Sequence, residues 1–393
     1  MPPDAPTDDE RPPSAIASPE EYLGDICGRH QVVLLGDQIG VRQHLRFLAG
    51  TLGELADNGV SNLAWEFTNS RRQAELDALT EASAWDGRAC VDLFVDLLGA
   101  GFGYQEYADV LHAVWKHNQA ERRRDSDRRP IRVIALGLPT YVEDPDLLDG
   151  RSAAELGLRN WWLGGHYRDM SAFHAASVLT AEVLRRGERA IVYMNIASTT
   201  TGLVEWADGT PTTSAGNLLW RWMSDGCRRV VFHGAVADSA ATERVEELVS
   251  RSPEGRGSTD IRFGLDLVAS SLGSVAMTEV RGSVDGAETS LRLRDVADGY
   301  VYLGPRADWE ACTLIDDLLT EANFASAEAR YRALDPRPEP YSRDELEELR
   351  RTGQQELSDA WPPLPEPPEE PKPRFARFSK RDSSSVRFHK NDA

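Results

Sequence analysis

Five polar residues stand at the ends of apolar runs that the sequence predicts to be strands. Asp37 ends QVVLLGD, Glu66 lies in NLAWEF, Asn195 and Ser198 follow RAIVYM, and His233 follows RRVVF. Carboxylate, imidazole and hydroxyl groups are those with which enzymes move protons and activate nucleophiles. Because ligands of open α/β sheets bind at the carboxyl ends of the strands, we predict that these side chains converge on one polar site. Taken singly, Asp37 could cap a helix, and Asn195 and Ser198 could shape a turn.

The elements that position these residues alternate along the chain. Apolar runs rich in Val, Ile and Leu are separated by helical stretches; the runs are QVVLLG, NLAWEF, IRVIALGL, RAIVYMN and RRVVFHG. Strands that are apolar on both faces predict an α/β fold with a mostly parallel central sheet covered by helices on both faces. After residue 255 the runs shorten, which predicts shorter, partly antiparallel strands near the C-terminal end.

The charge and hydropathy of the chain exclude several classes of partner. The 393 residues carry a formal net charge of −20, and residues 1–371 alone carry −25, which argues against nucleic-acid binding by this acidic body. The apolar runs are far shorter than the roughly 18 residues that a membrane span needs, and the acidic, proline-rich N-terminus is unlike a signal peptide. We therefore predict a cytoplasmic protein without membrane or nucleic-acid partners.

Four segments are predicted along the chain. Residues 1–20 are predicted to be a disordered tail, residues 21–335 a single α/β domain, and residues 336–360 a linker and helix. Residues 361–393 are proline-rich and then basic, with a charge of +5 from residue 372 onward. Such a composition predicts disorder, because it buries too little apolar surface to offset chain entropy. Alternatively, this basic tail could bind an acidic protein partner.

A series of motifs between residues 30 and 320 has a characteristic order and spacing. The motifs are LLGDQIG, LAWEFTNSRRQAELDAL, GYQEYADVLHAVWKHNQ, HYRDMSAF and IVYMNIASTTTG, and the later VVFHGAV, FGLDLVASSLG and DGYVYLG also fit. In this order they resemble the erythromycin esterase-like and haem-uptake (ChaN/Tiki-like) superfamily. The resemblance implies that the α/β domain has the fold of that superfamily.

The resemblance also implies a site of histidines and carboxylates that binds a divalent metal or, in the esterases, activates water. Asp37 stands where the family glutamate would be, Ile39 where its histidine would be, and Ala197 with Ser198 where a histidine pair would be. Metal sites normally have three or more protein ligands, and neither Ile39 nor Ala197 can bind a metal. We therefore predict a divergent member of the family that holds no metal and no other cofactor.

What remains of the family site predicts acid–base chemistry. The predicted catalytic residues are Asp37, Glu66, Arg168 and His233. Neighbouring carboxyl groups tend to share a proton, which raises one pKa, so Asp37 and Glu66 would act as an acid–base pair. Arg168 would hold an anionic group of the substrate. In the alternative interpretation, Glu66 and Arg168 form an internal ion pair that only orders the pocket.

Further polar residues are predicted to bind the substrate. They are His166, Asp169, His174, Asn195, Ser198 and Asp266. His166 and His174 lie about two helical turns apart, so both would face the cleft if their helix begins before Met170, and either is a candidate substitute base. Ser198 lacks a G-x-S-x-G elbow and is therefore not predicted to be a nucleophile.

Three hypotheses of function follow. The first is a metal-independent, hydrolase-like or lyase-like enzyme that hydrolyses, eliminates or rearranges a polar small molecule or modified peptide. The arginine-rich, lysine-poor composition suggests a high-GC genome and thus specialised metabolism. The second is a pseudoenzyme that keeps the cleft and recruits a partner through its basic tail. The third is a metal-dependent hydrolase with a divalent metal in a site rebuilt from Asp37, Glu66 and His233.

Overall fold

Eleven strands lie in the part of the chain that the structure describes. The computed structural model describes residues 17–95, 103–124, 129–139, 165–200, 204–205, 211–235, 238–251, 261–284, 287–334 and 339–359. The strands are β1 (Val32–Asp37), β2 (Asn62–Asn69), β3 (Arg132–Gly137), β4 (Ala190–Asn195), β5 (Val204–Glu205), β6 (Pro211–Thr212), β7 (Cys227–Phe232), β8 (Phe263–Asp266), β9 (Ala276–Val284), β10 (Ala287–Arg292) and β11 (Gly299–Tyr302).

The strands form a central sheet and a smaller one. The central sheet has the order β3-β2-β4-β1-β7-β11-β8, and its paired strands run parallel except β8, which is antiparallel to β11. The smaller sheet is antiparallel, with the order β10-β9-β5-β6. These sheets confirm the predicted fold class, including the partly antiparallel strands near the C-terminal end.

Helices connect the strands and cover both faces of the central sheet. They are α1 (Pro19–Arg29), α2 (Arg42–Asp57), α3 (Gln73–Glu81), α4 (Gly87–Val95), α5 (Gln105–Arg123), α6 (Gly165–Glu182), α7 (Ile196–Thr199), α8 (Ala215–Met223), α9 (Ser239–Arg251), α10 (Leu293–Val296), α11 (Glu321–Leu334) and α12 (Arg343–Asp359). None of these helices has an apolar stretch long enough to cross a bilayer.

The core consists of two apolar layers, one on each face of the central sheet. On one face, Leu35 of β1 and Trp65 of β2 pack in the same cluster as residues of α2 and α5. On the other face, Leu34 of β1 and Ala64 of β2 pack with residues of α6 and α8. The alternation follows from the two-residue period of a strand. It decides on which face of the sheet each polar residue near a strand end emerges.

The ends of the domain are defined by capped helices. α1 begins at Pro19, within the predicted N-terminal tail, and Ser18 and Glu21 form a capping box at its start. α12 occupies most of the predicted linker-and-helix segment, and the Ser342 amide donates to Glu345. The predicted tail of residues 361–393 lies outside the described residues.

Candidate active site

The strand-end residues lie together at the carboxyl edge of the central sheet. Asp37 is the last residue of β1 and is in register with Asn195, the last residue of β4. Ser198 lies in α7, which follows β4 directly, and Glu66 lies in β2, which pairs with β4 on its other side. His233 follows β7, the other neighbour of β1. Four adjacent strands therefore contribute polar groups to this edge.

Close packing at Gly36 sets the position of α7 against Asp37. A side-chain carbon at Gly36 would lie 2.8 Å from Thr199 Oγ1 and 2.9 Å from Ile196 Cδ1. A residue with a side chain would therefore push α7 away from β1. The glycine before Asp37 keeps Asn195 and Ser198 beside the carboxylate.

Asp37 is paired with a histidine that the sequence analysis did not select. The Nδ1 atom of His44 lies 2.5 Å from Asp37 Oδ1, and the two side chains are 2% and 0% exposed. The turn between β1 and α2 contains Gly40 at φ 85°, and it brings the first turn of α2 back over the strand end. The imidazole beside Asp37 is thus supplied by the first turn of α2.

The environment of Asp37 acts on its pKa in opposite directions. Burial raises the pKa of the Asp37 carboxyl, whereas the hydrogen bond and charge of His44 and the hydroxyl of Tyr193 lower it, and the net effect is an increase. His44 itself stacks on Phe232, with ring centroids 4.2 Å apart and planes within 8°. The ring is therefore held in one orientation by packing on its face and by the carboxylate at its edge.

One signal in the sequence could have identified His44. Along α2, the buried positions are His44, Leu45, Phe47, Leu48, Thr51, Leu52 and Leu55. Apart from His44 and Thr51 they are apolar, so an imidazole lies on the buried face in the first turn after a strand-end carboxylate. A buried histidine needs a hydrogen-bond partner, and Asp37 is the nearest candidate along the chain.

His233 is fully engaged by protein groups, which differs from its predicted catalytic role. Its Nδ1 lies 2.8 Å from the Tyr300 hydroxyl, and its Nε2 lies 3.0 Å from Glu246 Oε1. Burial lowers the pKa of His233, although Glu246 opposes this. A neutral ring that donates to Glu246 and accepts from Tyr300 has no nitrogen left for a substrate. We therefore treat His233 as a positioning residue.

A small cleft lies between His44 and His233. It is lined by Gln43, His44, His233, Leu303, Gly304, Pro305, Asp308 and Trp309. The Trp309 ring contacts both imidazoles edge-on, at centroid distances of 5.9 Å and 6.2 Å. Gly234 has φ 75°, and a side-chain carbon there would lie 2.1 Å from the Trp309 ring. The FHG turn therefore leaves room for Trp309 to cover the two histidines.

Glu66 is held by groups from the neighbouring strand. Its Oε1 accepts hydrogen bonds from the Asn195 backbone amide at 2.6 Å and from Asn195 Nδ2 at 2.7 Å, and its Oε2 accepts from Ser198 Oγ at 3.2 Å. Burial raises the pKa of Glu66; the hydrogen bonds of Asn195 and Ser198 oppose this, and the charge of Asp37 adds to it. The charge of Asp37 therefore acts on the Glu66 carboxyl, whereas the acid–base pair of these two residues stays a prediction.

The two carboxylates emerge on opposite faces of the sheet. Asp37 has the orientation of Leu35, which packs in the layer of α2 and α5. Glu66 has the orientation of Ala64, which packs in the layer of α6 and α8. The candidate site therefore straddles the edge of the sheet, with Asn195 between its two halves.

A bulge lies in β2 near Glu66, at the end of the strand. Between Trp65 and Asn69 of β2 the chain advances four residues, whereas β3 advances only from Ala135 to Gly137. The extra residues bring β2 so close to β3 that a side-chain carbon on Gly137 would lie 2.6 Å from the Thr68 carbonyl oxygen. Bulges are frequent beside active sites because they redirect side chains.

The Gly137→Ala variant tests this arrangement. Because the clash is with backbone, we expect the free energy of unfolding to fall by about 1–3 kcal/mol and Glu66 to lose its bonds to Asn195. Denaturant melts and activity assays would measure both effects. The matched control is Gly50→Ala, because Gly50 lies in α2 with nothing within 4 Å of the added carbon. Parental stability of Gly137→Ala would contradict the close packing of the bulge.

The predicted residues of the HYRDM segment lie in the first turns of α6. The helix begins at Gly165, before Met170, as the prediction for His166 and His174 required. The side chains of His166, Arg168 and Asp169 are outside the described residues, so a pair between Glu66 and Arg168 stays a prediction. His174 is described, and its Nε2 lies 2.9 Å from Ser70 Oγ.

Asp266 lies away from the other predicted site residues. It is the last residue of β8, and it is in register with Gly299, the first residue of β11. Because β8 is antiparallel, its carboxyl end lies at the edge where the parallel strands begin. There Asp266 Oδ1 accepts a hydrogen bond from the Val268 amide at 3.1 Å, which shapes a turn.

Among the described residues, the side chains at the carboxyl edge do not form the ligand set of a metal site. Ile39 packs against the apolar core. Within the described ranges, no three His, Cys, Asp or Glu side chains are grouped so that they could hold a metal ion. No step of the chemistry considered below passes through a metal.

Several solved structures are similar to this chain. A succinoglycan biosynthesis protein has a TM-score of 0.52 and 12% identity, covering 77% of this chain and 96% of that chain. The erythromycin esterase EreC in its open conformation has a TM-score of 0.49 and 12% identity, and the match covers 76% of this chain and 95% of EreC. ChaN of Campylobacter jejuni, which binds haem, has a TM-score of 0.27 and 13% identity, and the match covers 54% of this chain and 85% of ChaN. No protein-family model and no curated protein sequence matches the chain.

The similarity to the succinoglycan biosynthesis protein confirms the α/β fold of the chain. The shared architecture of the chain and the succinoglycan biosynthesis protein extends over nearly the whole of that protein. Identity as low as 12% leaves the chemistry to the side chains described above.

Proposed function

We propose that the chain is a metal-independent enzyme that uses acid–base chemistry to hydrolyse, eliminate or rearrange a polar small molecule or modified peptide. The observation that carries this proposal is the buried Asp37–His44 pair, with 2.5 Å between its atoms, beside the Glu66 carboxyl. Pairs of titratable groups in different environments are typical of acid–base sites.

His44 is the proposed general base. When its Nδ1–H donates to Asp37 Oδ1, the other nitrogen, Nε2, is free to accept a proton. Asp37 fixes this tautomer and would stabilise the imidazolium that forms. His44 lines the small cleft beneath Trp309, through which a substrate would have to reach its buried ring.

Glu66 is the proposed general acid. Its raised pKa increases the fraction of the carboxyl that is protonated near neutral pH. Since Oε1 accepts two hydrogen bonds from Asn195, the proton is best placed on Oε2, next to the Ser198 hydroxyl. Arg168 would bind an anionic group of the substrate, and His166 and Asp169 would contact its polar groups.

A second candidate function is ligand or partner binding without turnover. Its support is that His44 is only 2% exposed and that His233 has both nitrogens engaged. Such a protein would keep the edge of the sheet as a recognition surface and recruit an acidic partner through residues 361–393. In both cases we propose a cytoplasmic protein, and for the enzyme a place in specialised metabolism.

The test is a reaction screen with matched variants. Metal-stripped protein is incubated with polar small molecules and modified peptides that carry no ester group, and products are followed by mass spectrometry. Turnover that disappears in His44→Gln and Glu66→Gln but persists in His112→Gln, a residue of α5 away from the edge, would support the enzyme. Ligand binding without product, unchanged in His44→Gln, would instead support the binding protein.

Metal analysis of the purified protein tests the third hypothesis. Because Ile39 and Ala197 cannot act as ligands, we expect substoichiometric Zn, Mn, Fe and Co at neutral pH. Inductively coupled plasma mass spectrometry measures the content directly. Tight, stoichiometric metal that disappears in Glu66→Ala would contradict this and support the rebuilt metal site.

A further inference from the structure

A serine and a histidine outside the proposed acid–base pair meet at the same edge of the sheet. Ser70 is the first residue after β2, and it begins a short 3-10 helix that leads into α3. Its Oγ lies 2.9 Å from Nε2 of His174 in α6. Both side chains are partly buried and partly exposed, so solvent and ligands can reach them.

We propose that Ser70 is a nucleophile activated by His174, forming a second reactive site that accepts acyl groups from polar esters. A nucleophile and a base within hydrogen-bond reach are the minimal arrangement for covalent catalysis by serine. The turn from a parallel strand into a helix is the position in which α/β enzymes commonly expose such a serine. The segment FTNSRR lacks the flanking glycines of the usual motif, so no sequence pattern marks Ser70 as a nucleophile.

The environment of His174 suits a base. Burial lowers the pKa of His174, so the neutral ring predominates at pH 7 and its Nε2 can accept a proton. Glu66, held by Asn195 and Ser198, emerges on the same face of the sheet as the layer of α6 that carries His174. A polar ester bound on this face would meet both the nucleophile and the carboxyl group of Glu66.

The reaction balances without any further cofactor. The bond from Ser70 Oγ to the acyl carbon forms and the ester C–O bond breaks, while the serine proton passes to His174 Nε2. His174 then gives this proton to the leaving alkoxide. Water subsequently attacks the acyl-serine, with His174 again taking a proton, and the free acid and the serine hydroxyl are regenerated.

Labelling with a fluorophosphonate tests this inference without a known substrate. Attack of Ser70 Oγ forms a P–O bond, breaks the P–F bond and releases fluoride, and peptide mass spectrometry then locates the adduct. We expect stoichiometric labelling at Ser70, none in Ser70→Ala, and a rate at least about 100-fold lower in His174→Gln. Labelling should persist in Ser250→Ala, a control whose exposed serine has no histidine partner.

The pH dependence separates a base from a structural hydrogen bond. Because the pKa of His174 is lowered, the labelling rate should fall only at pH values below the ordinary histidine pKa of 6.5. Absence of an adduct at Ser70, or an unchanged rate in His174→Gln, would overturn the inference and leave Ser70 as a tether between β2 and α6. Neither result would affect the proposal for Asp37, His44 and Glu66. Labelling of Ser70 involves neither Asp37 nor His44, and it does not require Glu66.

Discussion

A His44→Ala protein should lose most of its activity and about 3 kcal/mol or more of its stability at pH 7. Removing the imidazole leaves the Asp37 carboxylate buried without its charged or hydrogen-bonded partner, and breaking a buried pair on one side typically costs about 3–5 kcal/mol. Loss of a general base lowers rates by about 10²–10⁴-fold. Denaturant melts and turnover measurements give the two quantities.

The pH dependence of this loss identifies its cause. If Asp37 is left as a buried carboxylate, it can relieve the penalty by taking up a proton, which costs roughly 4 kcal/mol at pH 7 but only roughly 1.5 kcal/mol at pH 5 for an ordinary aspartate. The destabilisation by His44→Ala should therefore shrink on acidification. A penalty that does not depend on pH would show that only packing against Phe232 was lost.

A double variant provides the control for this prediction. In Asp37→Asn/His44→Ala the remaining side chain is neutral, so the protein should be more stable at pH 7 than His44→Ala while staying inactive. Together with the parent and the single variant Asp37→Asn, these two proteins complete a double-mutant cycle that measures the interaction between the two residues. A second control, His112→Ala, removes a histidine that stacks on Trp85 in another part of the structure and should retain full activity. Equal stability of the single and double variants would show that the charge of Asp37 does not cause the loss.

The Glu66→Gln variant should be inactive, yet as stable as the parent or more stable. Glutamine can accept both Asn195 bonds through Oε1 and can donate to Ser198 Oγ through its amide, so the contacts of the carboxyl are preserved. What the substitution removes is a partly buried ionisable group with a raised pKa. Activity should fall by about 10²-fold or more because glutamine cannot donate a proton to a leaving group.

The stabilisation by Glu66→Gln should increase with pH. A carboxyl whose pKa is higher in the folded state binds a proton there that it has released in the unfolded state. The stability that this protonated carboxyl contributes is therefore complete at pH values below the ordinary glutamate pKa. It is lost as the pH rises through the raised pKa of the folded state. Melts of parent and variant between pH 4.5 and 8 should show the two curves separating toward higher pH.

The opposite result would identify a structural ion pair. If Glu66 pairs with a buried Arg168, its neutralisation strands the guanidinium and should cost about 3 kcal/mol or more. Arg168→Met serves as the reciprocal variant, since it removes the same pair from the other side. Strong destabilisation in both would refute the enzyme proposal. Strong destabilisation only in Arg168→Met would mean that Arg168 has a different partner.

The fold and the strand-end positions of the site residues can be predicted from local sequence patterns. The pairing of their side chains cannot. Apolar runs at strand spacing locate Asp37 and Asn195 at strand ends, and the rule for parallel sheets brings those ends together. The partner of Asp37 does not follow from a local pattern, because a turn at Gly40 determines which residue of α2 lies over the end of the strand. The histidine that meets Asp37 therefore comes from residue 44, five residues beyond Ile39.

Long-range packing explains the other differences. Glu246 reaches His233 from α9, and Tyr300 reaches it from β11, so both contacts join segments with no common motif. The direction of β8 reverses the position of Asp266, and four residues of strand contain no pattern that tells parallel from antiparallel. The bulge at Glu66 depends on a glycine in another strand, Gly137.

The division of the site between the two faces of the sheet bears on how such a protein can be re-engineered. Asp37 and His44 belong to the layer of α2 and α5, whereas Glu66 faces the layer of α6 and α8. Residues of α6 and α8 can thus be varied to accept a new substrate while the layer that holds the base keeps its packing. Directed evolution of specificity should accordingly find its permissive positions in α6 and α8, and few in α2.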